Sequence, residues 1–365
     1  MDANQLVLQA LEEQRATTEC VGSWRYLRFP HRTHGIPRGT AVFDGDVIWG
    51  YPEIGRILRL EAGIREQFRA PFWVEEKVDG YNVRVFQHRG QVLALTRRGY
   101  LCPFTTDRLP DLLPLRIFAE HPDLVLCAEV AGPENPYNES HPPYVTEDVQ
   151  LFVFDMMRKN DPHFVPHGER LALQQAYGLP SVPHYGRFEL RDLERLKALL
   201  RWLNAEGREG IVLKEDSPRD QRAKYVTANA CLHDIQVTAM SLLQLPPEFY
   251  TQRLLRLVLF LDEAELADSP ALCAALGEAF IAGLRQALAQ YRQHHKVFRT
   301  FRCRFRQEAN AQLFIQSLRR LLGHPHVRQR RLAREGAWYV LEFDKVLPKE
   351  TSMLGHLLGG GMVFD

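Results

Sequence analysis

The sequence predicts an α+β protein made of several modules, and three features of its patterning carry that reading. Short apolar segments of strand length, separated by turn signals, run from about residue 71 to 235. Helical periodicity takes over from about residue 246, and strand character returns after Lys296 around one more helix. At 365 residues the chain is longer than a single core usually organises, so two to four modules are expected.

Taken in order, residues 1–70 form a mixed N-terminal α+β module. Met1 to Gln14 carry early acids and lack an apolar segment with a cleavage site, so they read as a short helix and not as a signal peptide. Turn signals follow at Pro30, at Gly35-Ile36-Pro37 and at Gly45, and no catalytic motif is visible there. In residues 71–235 strands are expected at Phe72 to Glu76, Asn82 to Gln87, Val92 to Thr96, Leu124 to Val130, Val149 to Asp155 and Gly210 to Lys214. Helices near Glu169 to Tyr177 and Arg191 to Glu206 cover them. In residues 236–296, Leu254, Leu257, Val258 and Leu261 share one helical face, and Leu272, Leu276, Phe280, Leu284 and Leu288 share another. That is more apolar stripe than one hairpin needs, which leaves two readings: a two-fold interface with a second copy, or packing inward on the preceding domain. Residues 297–365 read as a small α/β module, with strands at Phe298 to Arg306 and Trp338 to Val346 around a helix at Ala309 to Leu322.

Composition bounds the function class. Apolar residues make up 45% and charged residues 25%, as in ordinary aqueous globular proteins. A net charge of +1 gives no argument for a nucleic-acid partner from overall charge, so any basic surface has to come from local clustering. The six cysteines lie far apart, without C-x-x-C pairs or zinc spacing, which predicts a reduced cytoplasmic protein without structural zinc. The greasy run Leu254 to Leu261 is interrupted by Arg256 and falls far short of spanning length, so no membrane insertion is expected.

The chemistry concentrates in Glu75-Glu76-Lys77-Val78-Asp79-Gly80-Tyr81-Asn82-Val83-Arg84, a K-x-D-G at a strand end. Alone, such a tetrapeptide is weak, because a surface lysine before a turn reads the same way. What gives it weight is an ordered set downstream: Thr96-Arg97-Arg98-Gly99, Ala128-Glu129-Val130-Ala131-Gly132, Phe152-Val153-Phe154-Asp155, Glu209-Gly210-Ile211-Val212-Leu213-Lys214 and Arg222-Ala223-Lys224-Tyr225. In this set the chain resembles the covalent nucleotidyltransferases, comprising DNA ligases, RNA ligases and mRNA capping enzymes, whose motifs I, Ia, III, IIIa, IV and V fall in the same order. The K-x-D-G-x-N form, the TRRGYLCPFT stretch and the strand-helix-strand tail are most similar to the archaeal-type, homodimeric, RNA-circularising ATP-dependent RNA ligases. The resemblance implies an ATP-grasp-like nucleotidyltransferase domain with antiparallel sheets, a helical dimerisation region, ATP and Mg²⁺ or Mn²⁺ as cofactors, RNA ends as substrate, and a homodimer.

Residue roles follow from that resemblance together with the chemistry. Lys77 is the nucleophile that takes AMP; an amine attacks only when deprotonated, and neighbouring cations such as Lys224 and Arg97 would lower its pKa. Lys224 is placed on the α-phosphate. Ligases usually carry two lysines in motif V, and Arg222 stands at the first position here, so the division of labour among Arg222, Lys214 and Lys224 stays open. Glu129 accepts from ribose hydroxyls and Glu209 holds the divalent metal, for which oxygen ligands are suited. Phe154 is the adenine stack, and Glu75 or Glu76 reads the adenine amino group, with strand alternation favouring Glu75 on the face of Lys77. Asn82, Arg84 and Arg98 are candidate contacts to sugar or phosphate. Near the end of the chain, Arg302, Arg304 and Arg306 share one strand face at spacings of roughly 6.5 to 7 Å. With Arg328, Arg330, Arg331 and Arg334 they offer a surface for a nucleic-acid backbone, or else a solvated strand edge. A DNA ligase, a GTP-using capping enzyme and a non-catalytic nucleic-acid-binding dimer remain as alternatives.

Overall fold

The computed structural model describes residues 3–241, 244–246, 248–266 and 270–363. The chain opens with α1 (Ala3–Glu12) and a four-stranded antiparallel meander, β1 (Thr17–Val21), β2 (Trp24–Arg28), β3 (Ala41–Phe43) and β4 (Asp46–Ile48). This segment has no separate core. Tyr26, Phe43 and Trp49 pack in one cluster with Phe86, Leu93 and Val125 of the sheet behind them. The chain then leaves the meander through β5 (Gly55–Arg56) and α2 (Leu60–Gln67).

Two five-stranded sheets follow. Their elements are β6 (Phe72–Glu76), β7 (Tyr81–His88), β8 (Gln91–Thr96), α3 (Pro103–Leu112), α4 (Ile117–Glu120), β9 (Leu124–Ala131), β10 (Gln150–Arg158) and β11 (Asp161–Phe164), then α5 (His167–Tyr177), β12 (His184–Phe188), α6 (Leu193–Ala205), β13 (Gly210–Glu215) and β14 (Arg222–Val226). One sheet has the order β11-β10-β9-β7-β8, the other β12-β6-β13-β14-β5. Every ladder is antiparallel except β5 on β14. Period-two alternation explains the division of β9 between two cores. Leu124, Leu126 and Ala128 face α3 and the C-terminal module, whereas Val125 and Cys127 face the N-terminal meander. The next residue in that second row is Glu129, which emerges at the open end of the strand.

The helical region contains α7 (Ala228–Thr238), α8 (Glu248–Glu263) and α9 (Pro270–His294). Most of the apolar stripe is consumed inside the molecule: Leu257 and Leu261 are buried, and Leu254, Leu276 and Phe280 pack around Ile235, Tyr250 and Ala279. Val258 and Leu284 do not follow, at 59% and 46% exposure. Among the described residues α9 is the one helix long and apolar enough to cross a membrane, a test met by length and composition only.

The chain closes with β15 (Phe298–Phe305), α10 (Glu308–Leu322), β16 (Val327–Glu335), β17 (Trp338–Val346) and α11 (Pro348–Leu358), the strands ordered β15-β17-β16. Phe301, Phe305, Phe314 and Phe343 continue the core of Val83, Phe104 and Leu126. The arginine row of β15 is paired with carboxylates in this fold. Arg302 reaches Glu134 at 2.6 Å and Glu335 at 2.9 Å, Arg304 reaches Glu134 at 2.7 Å, and Arg306 reaches Asp111 at 3.0 Å. The row pins the last module onto the preceding domain, while Arg330 and Arg331 pair with Asp344 and Glu335. None of the six cysteines is disulfide-bonded.

Candidate active site

A cavity of about 960 Å³ opens between the two large sheets, with Lys77 on the turn that joins them. Two glycines make the turn possible. A Cβ on Gly80 would lie 2.4 Å from the Val130 carbonyl oxygen, so the K-x-D-G turn approaches β9 as closely as it does because residue 80 has no side chain. Gly210 has φ +147° and would place a Cβ 2.2 Å from the Tyr225 carbonyl. Its own carbonyl accepts from the Lys77 backbone N–H at 2.9 Å, which brings Glu209 alongside the lysine. The Lys77 ammonium is ion-paired with Glu209 Oε1. Across the cleft, register sets Glu129 opposite Asn82 on one side and Phe152 on the other.

The electrostatics of Lys77 differ from the expectation of a lysine whose pKa is lowered by cations. Burial does push it down, but the carboxylates of Glu209, Asp79 and Glu129 outweigh that, and the ammonium form is favoured. The acids respond in turn. Burial raises Glu129 to about 8 and Glu209 to about 7, with the opposing pull of Lys77 insufficient to cancel it. Glu209 Oε2 is buried without a hydrogen-bond partner, and so is Asn82 Oδ1. An orphaned, buried carboxylate oxygen is the kind of ligand a hard divalent cation takes.

Lys224 stands on β14, in the same sheet as β6 and β13, between Val212 and Arg56. It has no ion-pair partner among the described residues. Burial, with help from Arg56, Lys77 and Arg97, lowers it to about 8. Arg56, Arg97 and Lys224 thus place three cations in the cavity that holds the acids around Lys77. Arg56 had no signature in sequence; it arrives by the parallel pairing of β5 with β14.

The far end of the cavity is occupied by a buried ion cluster. Glu75 is held below its usual range because Lys214 and Arg170 outweigh its burial, and Lys214 Nζ donates to it at 2.6 Å. Lys214 also donates to Asp155 at 3.0 Å and to the Phe154 carbonyl at 2.6 Å, which uses all three of its N–H groups. Arg222 donates to Asp155 at 2.5 Å and to Asp220 at 3.0 Å. Of the three cations left open by the sequence, Lys214 and Arg222 are therefore committed to carboxylates. Both oxygens of Glu76 are taken as well, by Tyr144 at 2.8 Å, Tyr185 at 2.5 Å and Arg208 at 2.7 Å. Phe154 lines the cavity because β10 bulges there: Val153 and Asp155 pair with consecutive residues of β9, which leaves Phe154 out of register and re-aims its ring.

Arg84 is not at the site. It is fully buried, and its guanidinium donates to the carbonyls of Trp49 at 2.6 Å, Gly39 at 2.8 Å, Thr96 at 3.0 Å and Ile48 at 3.3 Å. Asn82 and Arg84 share a strand face, but one step of two residues carries Arg84 out of the cleft and under the meander.

Comparison with known proteins bears on what this cleft belongs to. A family model described as RNA ligase matches residues 70–226, and one described as the ligase Pab1020 C-terminal region matches residues 237–361. The chain belongs to the RNA ligase family. Among solved structures similar to this RNA ligase family member, two forms of an archaeal ATP-dependent RNA ligase are 28% and 29% identical, with TM-scores of 0.86 and 0.87. Each match covers 98% of this chain and 96% of the other. A structure described as a putative ATP-dependent DNA ligase from Aquifex aeolicus is 53% identical, with a TM-score of 0.94, over 99% of this chain and 100% of that one. An uncharacterized Methanocaldococcus jannaschii protein is 29% identical over 81% of this chain and 77% of its own length. Within this RNA ligase the acid cluster around Lys77 includes Asp79, the third residue of K-x-D-G, which sequence reasoning quoted but gave no role.

Proposed function

We propose that this chain seals RNA 5′-phosphate and 3′-hydroxyl ends with ATP, carrying AMP first on Lys77 Nζ and then on the RNA 5′ end. The observation that supports it most is the arrangement at Lys77: an amine paired to Glu209 in a cavity that Lys224, Arg56 and Arg97 also line. The Lys77 lone pair attacks the α-phosphorus, a P–N bond forms, and the P–O bond to pyrophosphate breaks. Before attack the ammonium gives up a proton, and Glu209 Oε1 is in contact to receive it, with a carboxyl pKa raised to about 7. Lys224 stabilises charge developing on the α-phosphate, since Lys214 and Arg222 are already committed. Phe154 stacks on adenine, Glu129 accepts from ribose, and Asn82 contributes its unpaired amide oxygen to the same wall. A divalent cation, Mg²⁺ or Mn²⁺, held by Glu209 Oε2 would screen the phosphate charges.

The exposed apolar residues Ile281 and Leu284 on α9, and Leu357 and Leu358 on α11, support a homodimer closed by two-fold symmetry. Cytoplasmic action accords with six unpaired cysteines. The Aquifex relative's description favours a second reading, sealing of DNA. Parallel assays with ATP or GTP, and with single-stranded RNA or nicked duplex DNA, separate the readings. Efficient sealing of RNA with ATP supports the proposal, and sealing of nicked DNA with RNA left untouched overturns it.

A further inference from the structure

At about 960 Å³ the cavity sits at the top of the range for small-molecule sites, roughly 300 to 1,000 Å³. It has two parts of different chemistry. Lys77, Glu129, Lys224, Arg56 and Phe154 line the charged part. The other part is walled by Tyr100 and Pro103, by Tyr137 with Lys345 beside it, and by Leu318, Leu321 and Leu322 of α10, and carries no carboxylate. Leu321 and Leu322 are 41% and 46% exposed, on a helix that otherwise buries Phe314 and Leu318. Tyr100 is held in place by the Arg28 guanidinium, 4.0 Å from its ring. Arg97 and Arg98 lie between the two parts, and neither guanidinium has an ion-pair partner among the described residues.

We infer that the apolar lobe under α10 receives the first nucleobase of the 5′-phosphorylated RNA end, with Arg97 and Arg98 on the phosphate beside it. This deepens the ligase reading and rests on it. In the transfer step an oxygen of the RNA 5′-phosphate attacks the AMP phosphorus, the P–N bond to Lys77 breaks, and Lys77 Nζ regains a proton. That oxygen has to come within bonding distance of the AMP, so the nucleotide carrying it enters the same cavity. The charged part holds the AMP, and the remaining space is lined mainly by apolar and aromatic side chains, with the Lys345 ammonium tied to the Pro136 and Tyr137 carbonyls, which leaves surfaces a nucleobase stacks on. The two unpaired arginines supply charge complementary to the backbone phosphate at the junction. Arg97 then serves both phosphates in turn, from its place on the border.

The test uses the full chain and separates capture from transfer. AMP loading from ATP is measured without RNA, and the loaded protein is then mixed with 5′-phosphorylated RNA whose first nucleotide is either normal or abasic. The parent should adenylylate the normal end with a KM about tenfold or more below that for the abasic end. The double variant Leu321→Glu, Leu322→Glu alters two exposed positions; it should load AMP within about twofold of the parent yet lose most of the preference for the normal end. Equal KM values for both ends in the parent would overturn the inference, as would an undiminished preference in the variant. So would a preference tied instead to an abasic nucleotide at the 3′-hydroxyl end. Loss of AMP loading in the variant alone would assign the lobe to ATP, which also overturns it. Failure of the parent to load AMP is a different result and contradicts the ligase reading itself.

Discussion

Replacing Glu129 by glutamine should stabilise the protein while impairing nucleotide capture, and the stabilisation should grow with pH. Glu129 has no hydrogen-bond or ion-pair partner among the described residues, and burial lifts its carboxyl from 4.5 to about 8, with Glu209 and Asp79 adding to the effect and Lys77 opposing it. In the unfolded chain the group ionises above about 4.3. The folded state, which retains the proton, is therefore penalised increasingly as pH rises from that value to about 8, and the penalty is constant beyond. At about 1.4 kcal/mol per pH unit the full shift sets an upper bound on the order of 5 kcal/mol. Glu129 sits at the mouth of a solvated cleft, so the gain falls below that bound; with the carboxyl raised to about 8, about half of it develops between pH 6 and pH 9. Thermal melts of the parent and Glu129→Gln at pH 6, 7.5 and 9, without nucleotide, read this directly. The variant should melt a few degrees higher at pH 9, with a smaller gap at pH 6. A gap that is negative, flat or narrowing with pH would refute the reasoning that this acid is held in the site against its own solvation.

Further expectations concern the cations, the metal and assembly. Lys224→Met should slow AMP capture by about 10²- to 10³-fold and Phe154→Leu by about tenfold or less, because fixed charge in a desolvated site outweighs one lost stack; single-turnover loading assays rank the two. Glu209 binds its proton up to about pH 7. The Mg²⁺ or Mn²⁺ concentration that half-saturates AMP capture should accordingly rise below pH 7, by up to about tenfold per unit, while it changes little above pH 8; metal titrations at fixed pH measure this. Leu284→Glu should convert a dimer into a species near 42.2 kDa by light scattering, and a parent already at that mass contradicts the two-fold assembly.

The parts of the site legible in sequence are those carried by single strands. Lys77, Glu129 and Glu209 each sit near one end of an apolar run, where a glycine close by marks a strand starting or stopping at an opening. Arg84 shows the limit of that logic. It read as a candidate contact to sugar or phosphate, and only the meander's Gly39 and Trp49 carbonyls, which are distant in sequence, distinguish a buried anchor from a ligand contact. Arg56 could not be found at all, because its place beside Lys224 depends on a parallel pairing across more than a hundred residues. The arginines of β15 read as either a phosphate surface or a solvated edge because their partners, Glu134 and Asp111, lie in unrelated stretches of chain. Local pattern shows where a charge points, and long-range packing decides what it meets. The same limit explains Lys77: the motif set placed Lys224 and Arg97 near it, and the fold adds the carboxylates of Glu209 and Glu129 from distant strands, which with Asp79 outweigh its burial.

Intact-protein mass spectrometry after incubation with ATP and Mg²⁺ tests the central claim most directly, followed by peptide mapping of the modified residue. The account requires a mass increase of one AMP located on Lys77, discharged when 5′-phosphorylated RNA is added and absent in Lys77→Ala. The alanine variant should still seal RNA supplied already adenylylated, since only the first step uses the amine. An adduct on any other residue, or ATP-driven sealing of RNA by Lys77→Ala, would contradict it.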